Sequence, residues 1–281
     1  MVSMVFGRFI RAVVCFVSFA SFATVASEGP RLQTAPINSH DVASLQNGAK
    51  LFINYCLNCH TASYMRYNRL QDLELTEAQI KDNLIFTGVK VGELMQVGMD
   101  RKDAKAWFGV APPDLTVTAR ARSSGAGTGS DWIFSYLRSF YRDPSRPTGW
   151  NNLVYPNVGM PHVLWQLSGQ AQLHEEVFES EHAAKAALIA TKGVAQLEEG
   201  HEIKDGKTVE RFVLKTLTPG NGALSQVEYD KAVTDIVNYM TYMAEPARLE
   251  RRRVGFYVLM LLGLLLVLVY ALKKSYWKNI H

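Results

Sequence analysis

Apolar positions along this 281-residue chain fall into runs of different kinds. Ala12 to Phe22 is largely apolar behind Arg8 and Arg11, no acidic residue precedes it, and small residues surround Thr24-Val25-Ala26. That pattern predicts a secretory leader over 1–26, cleaved near Ala26 and too short to span a bilayer. Val254 to Leu272 runs 19 residues without a charge, ~28 Å as a helix, which is about the thickness of a hydrocarbon core. A single transmembrane anchor is expected over 254–272, with a short tail at 273–281. Between leader and anchor the pattern is amphipathic. Leu45, Ala49, Phe52 and Cys56 recur at helical spacing behind a candidate cap, Ser44. Thr76, Glu77 and Gln79 open a second helix reaching about Phe86, and Val91 to Met99 reads as a third. Asp131 caps a helix through Trp132, Ile133, Phe134, Tyr136, Leu137 and Phe140, and Val227 to Tyr242 forms a late one. Gly48 offers a smooth spot against which the late helix can pack. The charged, alanine-rich stretch 166–223 predicts a peripheral insertion, with a helix from Glu175 to Ile189 and a hairpin turned at Asp205-Gly206. The expected fold class is mainly α: one exported domain over 27–250 plus a C-terminal transmembrane helix.

Charge changes the picture of what that domain meets. The formal +4 is misleading, because eight of the 30 basic residues flank the two apolar runs. The 22 others, against 26 acidic residues, leave the domain at −4. No nucleic-acid partner is expected, whereas an acidic face suits a basic protein partner. Of three cysteines, Cys15 would leave with the leader. No disulfide framework remains, so the fold must rest on its core and on whatever Cys56 and Cys59 hold.

Those two cysteines stand in Cys56-Leu57-Asn58-Cys59-His60, where two thiols share a helical turn and an imidazole comes next. The pentapeptide reads as a c-type haem attachment site: both thiols form thioethers to the haem vinyl groups, and neutral His60 gives a ring nitrogen to iron. A redox dithiol is the alternative. Ala111-Pro112-Pro113-Asp114-Leu115 cannot lie inside a helix and must be an ordered loop with free carbonyls. One of them can accept the second ring N–H of His60; the alternative is a simple loop before a helix capped by Asp114 or Thr116. Tyr64 to Leu70, aromatic and basic, is expected over the haem edge. Arg120 and Arg122 precede a glycine-rich run and can pair with haem propionates or stay solvated. For the sixth ligand, Met160 lies in the loop Asn157-Val158-Gly159-Met160-Pro161-His162, where Gly159 allows close approach and Pro161 fixes the chain. His162 is its rival. Met95 and Met99 suit core or cover positions, and Met240 and Met243 lie on the late helix.

Together the haem motif, the Pro112-Pro113-Asp114-Leu115 loop, Arg120-Ala121-Arg122, Gly159-Met160-Pro161 and the single anchor resemble the cytochrome c1 family of bacterial bc1 complexes. The resemblance implies a cytochrome-c-type fold with one covalent haem c and His60 and Met160 as axial ligands to iron. It also implies Arg122, more than Arg120, as the propionate partner, and Pro112 packed near the ring. The implied role is electron transport in a respiratory chain: one electron from a Rieske iron–sulfur protein, onward to a cytochrome c. The implied setting is a dimeric complex with cytochrome b and membrane lipid at a bacterial inner membrane, the main domain in the periplasm. The glycine-rich run after Arg122 is longer than in mitochondrial relatives, and 166–223 matches no family pattern.

Replacing Cys56 and Cys59 with alanine is expected to abolish covalent haem. Haem that still resists acid-acetone extraction from that variant would refute the attachment site.

Overall fold

The computed structural model describes residues 31–191, 193–204 and 207–279. The expected leader and the turn at Asp205-Gly206 lie outside the described residues. The domain is assembled around one crossing of helices distant in sequence, α1 (Val42–Tyr55) and α8 (Gln226–Ala244). Gly48 makes the crossing possible: a Cβ there would lie 1.9 Å from the Asp235 carbonyl oxygen and 2.8 Å from Tyr239 Cβ. The helices are also tied by polar groups. The buried Asp235 carboxylate accepts from Ser44 Oγ (2.6 Å) and Asn47 Nδ2 (2.8 Å), and Asn238 Nδ2 donates to Ser44 Oγ (3.1 Å). Ser44 is therefore not the helix cap. Asp41 takes that place, accepting the Ser44 N–H. Around the crossing Phe52, Val233, Ile236 and Tyr239 are fully buried, each large side chain contributing about 1.5–3 kcal/mol.

Shorter elements cover this pair. Strand β1 (Ala62–Arg66) pairs antiparallel with β2 (Leu94–Met95) and runs into a 3-10 turn, Tyr67–Leu73. The helix expected over Val91 to Met99 does not form. Met95 instead pairs opposite Ala62 with its side chain fully buried, the Tyr239 hydroxyl 3.6 Å from its sulfur. Helix α2 (Glu77–Leu84) has the Thr76/Gln79 capping box that the sequence signals. After α3 (Arg101–Phe108) and the short α4 (Thr118–Ala121) comes α5 (Gly129–Leu137), capped by Thr128 with Asp131 in the third helical position rather than at the cap. Gly129 is required where α5 meets α4, since a Cβ would lie 2.3 Å from the Ala119 carbonyl oxygen. Strands β3 (Phe140–Arg142) and β4 (Trp150–Asn152) then form a hairpin, and α6 (Trp165–Ser168) comes after it.

The insertion is a three-stranded antiparallel sheet, β5 (Gln172–Phe178), β7 (Lys207–Thr218), β6 (Gln196–Lys204), with β7 central. Lys204 pairs with Lys207, so the hairpin falls where the sequence puts it. The helix expected from Glu175 starts later, as α7 (Glu181–Ala190). Residues 172 to 178 pair one-for-one with β7, and that pairing overrides their weak β preference. Past Glu245 and Pro246 the chain enters α9 (Arg248–Tyr276), whose segment Arg253–Tyr276 is long and apolar enough to cross a membrane.

Gly48→Ala is expected to destabilise the domain by about 1–3 kcal/mol, since a methyl group must push one backbone off the other. For a domain of this size that is ~2–4 °C in Tm per kcal/mol. An unchanged Tm by thermal denaturation would show that the helices can separate freely.

Candidate cofactor site

Helix α1 ends by delivering the two cysteines. Cys56 N–H still closes a helical bond to the Phe52 carbonyl (2.8 Å), and the Cys56 carbonyl accepts from Cys59 (3.1 Å) and His60 (2.9 Å). Both thiols are free and half-buried, and they open onto one cavity of about 410 Å³ together with His60, Pro112, Arg122 and Met160. Burial, then the charge of Cys59 nearby, pushes the Cys56 thiol up to about 12. A reactive dithiol needs the opposite shift, so the surroundings do not favour the redox-dithiol reading.

His60 is held by the proline loop. Its Nδ1 lies 2.8 Å from the Pro113 carbonyl oxygen. A carbonyl can only accept, so Nδ1 carries the proton and Nε2 keeps its lone pair for the cavity. Burial lowers the His60 pKa, against the opposing pull of the Pro113 carbonyl and Asp114, and keeps the ring neutral as a ligand must be. Asp114 fixes the loop itself. Its Oδ2 accepts from Ser63 N–H (2.7 Å) and Thr61 Oγ1 (2.8 Å), and Oδ1 from Thr116 N–H (2.9 Å). Burial alone would raise this carboxyl, but these bonds outweigh it and hold the pKa at about 2. Asp114 thus braces the loop to the segment after the haem motif, while α4 begins without a side-chain cap.

Met160 lines the same cavity, its sulfur 3.4 Å from the Tyr136 hydroxyl, which is placed to donate. The loop carrying it is pinned at Asn157, which takes the left-handed conformation Asn tolerates (φ 62°). Asn151 Oδ1 accepts the Asn157 N–H (2.8 Å), and Arg146 donates to Asn157 Oδ1 (3.1 Å). A Cβ on Gly159 would meet only Val110, at 3.9 Å, so no protein atom fills the space beside it. The second wall is aromatic. Tyr136 stacks on Trp132 (4.8 Å), and the Arg122 guanidinium lies over the Trp132 ring at 4.4 Å.

The structure sorts the expected residues into two groups. Cys56, Cys59, His60, Pro112, Arg122 and Met160 meet at the cavity. Arg120 does not: it lines a separate cavity with Arg248. His162 is also elsewhere, buried, stacked on Phe140 (4.8 Å), with Nε2 2.8 Å from Ser168 Oγ. Tyr64 to Leu70 lies off the cavity too. Tyr64 is 80% exposed while Met65, Tyr67 and Leu70 fill the core, because β1 pairs with β2 rather than covering the site. Trp132, Tyr136 and Tyr155 are wall residues that the sequence pattern did not single out, though their spacing on and after α5 offered a signal. Met240 also reaches the wall from α8. These donors fit a covalently held haem: two thiols at the attachment spacing, a neutral imidazole with its free nitrogen toward the cavity, and a thioether in the opposite loop.

Known proteins resemble this chain over nearly its whole length. The pattern of the Cytochrome C1 family matches residues 32–187 and 222–280. Cytochrome c1 of Allochromatium vinosum is 46% identical over 268 residues, 95% of this chain and 97% of that protein. A protein of Nitrosomonas europaea named ammonia monooxygenase gamma subunit is 40% identical over 275 residues, 98% of this chain and 100% of that one. Cytochrome c1 of Rhodospirillum rubrum is 26% identical over 259 residues, 86% of this chain and 83% of its own.

Asp114→Ala removes the acceptor for two amides and a hydroxyl, and at ~1.5–3 kcal/mol per bond to a charged group a loss of about 2–4 kcal/mol is expected. The folded pKa lies below the unfolded value, so this contribution is complete above about pH 4 and fades as pH falls toward 2. Thermal denaturation against pH should show wild type losing its advantage over the variant across that window. A constant difference would exclude Asp114 as its source.

Proposed function

The chain belongs to the cytochrome c1 family, and from that premise we propose that it is the electron-transfer subunit of a cytochrome bc1 complex. In this reading it takes one electron from the Rieske iron–sulfur protein and passes it to a cytochrome c. The observation that carries the proposal is that an imidazole and a thioether, His60 and Met160, line one cavity together with the two motif thiols. A haem bound here supplies reversible one-electron exchange between ferrous and ferric iron. With His60 and Met160 both holding the iron, little room would be left for oxygen or substrate, which suits outer-sphere transfer. For that reason we assign no substrate oxidation to this chain despite the name of the Nitrosomonas europaea relative.

Each residue has a task in that scheme. Cys56 and Cys59 hold the ring by thioethers, and His60 offers Nε2 in an orientation set by Pro113. Tyr136 donates toward the Met160 sulfur and restrains a flexible side chain. Arg122, poised over Trp132, supplies the N–H groups for propionates, and Pro112 packs at the ring edge. Residues 27–250 form the haem domain, with 166–223 as a peripheral insertion on it. The span at 254–272 tethers it beside cytochrome b in a dimeric complex, the 273–281 tail lies inside, and the leader over 1–26 directs the domain to the periplasm.

Met160→Lys and Met160→His test this most sharply. A thioether favours ferrous iron, whereas an amine or imidazole favours ferric, so the midpoint potential is expected to fall while covalent haem persists. At about 59 mV per tenfold for one electron, a fall of ~0.1 V is about 2.3 kcal/mol, and quinol-driven cytochrome c reduction should collapse. An unchanged midpoint in a redox titration rejects Met160 and leaves Met240 and His162 to be tested. Purification without cytochrome b and a Rieske subunit would instead indicate a free membrane-anchored carrier. Carbon monoxide binding to the reduced native protein would indicate an open sixth position, as in a haem enzyme or gas sensor.

A further inference from the structure

The second cavity, about 370 Å³, lies where the domain meets α9, with Arg120 and Arg248 both in its lining. We propose that it holds the phosphate of an anionic phospholipid from the leaflet on the haem-domain side, gripped by these two arginines. The inference rests on reading α9 as the membrane anchor.

Charge is the first support. Glu245 is the carboxylate lining this cavity, and its Oε1 is already taken by Arg251 Nη1 at 2.6 Å. Among the described residues no acidic side chain is paired with Arg120 or Arg248. Arg120 is exposed and Arg248 half-buried, so both guanidiniums are open to a headgroup, and phosphate is the oxyanion their fork matches. The amide end of α9, which begins without a side-chain cap, adds partial positive charge on the same side. Hydroxyls complete the lining at Ser123 and Thr128.

Depth is the second. Arg248 opens α9 and the apolar segment begins at Arg253. Five residues of unbroken helix raise Arg248 ~7.5 Å above the edge of the hydrocarbon. The polar headgroup layer is roughly 5–7 Å thick on each side of a bilayer, so the Arg248 backbone stands at its outer edge and the long side chain can reach down to lipid phosphates. The volume equals that of about twelve water molecules, room for a headgroup and its hydration. One arginine belongs to the haem domain and the other to the membrane helix, on opposite sides of the break at Glu245-Pro246. A phosphate between them clamps the domain to the membrane surface across that break.

The test uses the full chain in its membrane complex, purified in detergent. Phosphatidylglycerol and phosphatidylcholine are titrated separately and bound lipid is counted by native mass spectrometry. A basic residue near a lipid surface contributes roughly fivefold in affinity, so Arg120→Gln with Arg248→Gln is expected to weaken phosphatidylglycerol binding ~25-fold. Phosphatidylcholine should bind weakly to both proteins. Lys273 and Lys274, at the far end of the span, also attract anionic lipid, so Lys273→Gln with Lys274→Gln is the control and should leave this site filled. Arg120→Lys with Arg248→Lys should restore much of the binding, which a folding defect would not allow. Equal phosphatidylglycerol affinity in wild type and the double Gln variant overturns the proposal. So does tight inorganic phosphate binding that excludes phosphatidylglycerol, which would make this a soluble-anion site. Haem spectrum and subunit composition are recorded on the same samples: a chain lacking haem or partners would count against the electron-transfer reading while leaving the lipid result to stand or fall by itself.

Discussion

The close approach of α1 and α8 at Gly48 is the contact on which the rest depends. A helix that carries a cofactor motif at its C-terminal end must be fixed in rotation as well as position, because one residue of slip turns both thiols by about 100°. Apolar packing of Phe52 against Tyr239, ring centroids 5.5 Å apart, supplies most of the attraction but little register. Register comes from the buried Asp235 carboxylate, which Lys231 of its own helix pairs at 3.0 Å and which takes its cross-helix donors from Ser44 and Asn47. A rotated alternative keeps the Lys231 pair but loses both cross-helix hydrogen bonds to a charged acceptor, so it is costly. The long loop between the helices closes at the same point, so the crossing also joins the two ends of the haem domain.

From that fixed helix the site is built outward by hydrogen bonds to backbone carbonyls and amides. The Pro112-Pro113 pair gives up N–H donors, and its exposed carbonyl becomes the acceptor for His60. Asp114 reverses the usual worth of a half-buried carboxylate: burial works against its charge, yet three donors from both sides of the site more than offset the cost. The opposite wall relies on aromatic area and amide side chains. Asn152 Nδ2 donates to the Tyr136 carbonyl (2.8 Å) while its Oδ1 accepts from Val154 and Tyr155, so the helix that aims Tyr136 and the loop that aims Met160 share one residue. Either His60 or Met160 therefore moves only with the residues that brace it.

What the sequence made legible was chemistry with a fixed local spacing. Cys56, Cys59 and His60, the Thr76/Gln79 box and the uncharged run of the anchor each depend on residues a few positions apart, and each is found where the pattern puts it. The Gly48 crossing was legible because a smooth spot on one amphipathic face and an apolar stripe on another leave few ways to pack. What failed was decided by distant partners. Val91 to Met99 has helical periodicity, but Met95 is claimed by β1; residues 175 to 178 suit a helix, but β7 offers a ladder. Arg120 and Arg122 look alike in sequence, and only the turn of α4 sends Arg122 toward Trp132 and Arg120 toward Arg248.

The family pattern covers 166–187 and 222–223 as well, so of the stretch expected to match no family pattern only residues 188–221, with the β6–β7 hairpin, fall outside it. Such an addition is tolerated because of where it attaches. The sheet meets the haem domain along the β3–β5 junction, where Arg142 N–H donates to the Ala171 carbonyl at 2.9 Å. The chain returns beside α6, where Gly169, Gly220 and Gly222 bring two backbones so close that a Cβ at Gly220 would lie 2.1 Å from Gln170 N. Entry and exit are thus clamped together, and lengthening the excursion between them costs only ~0.6 kcal/mol per doubling in chain entropy. No described residue of this hairpin lines the cofactor cavity. The insertion can therefore vary in sequence and length while His60 and the motif cysteines keep the geometry that the α1–α8 crossing and the Asp114 bonds impose.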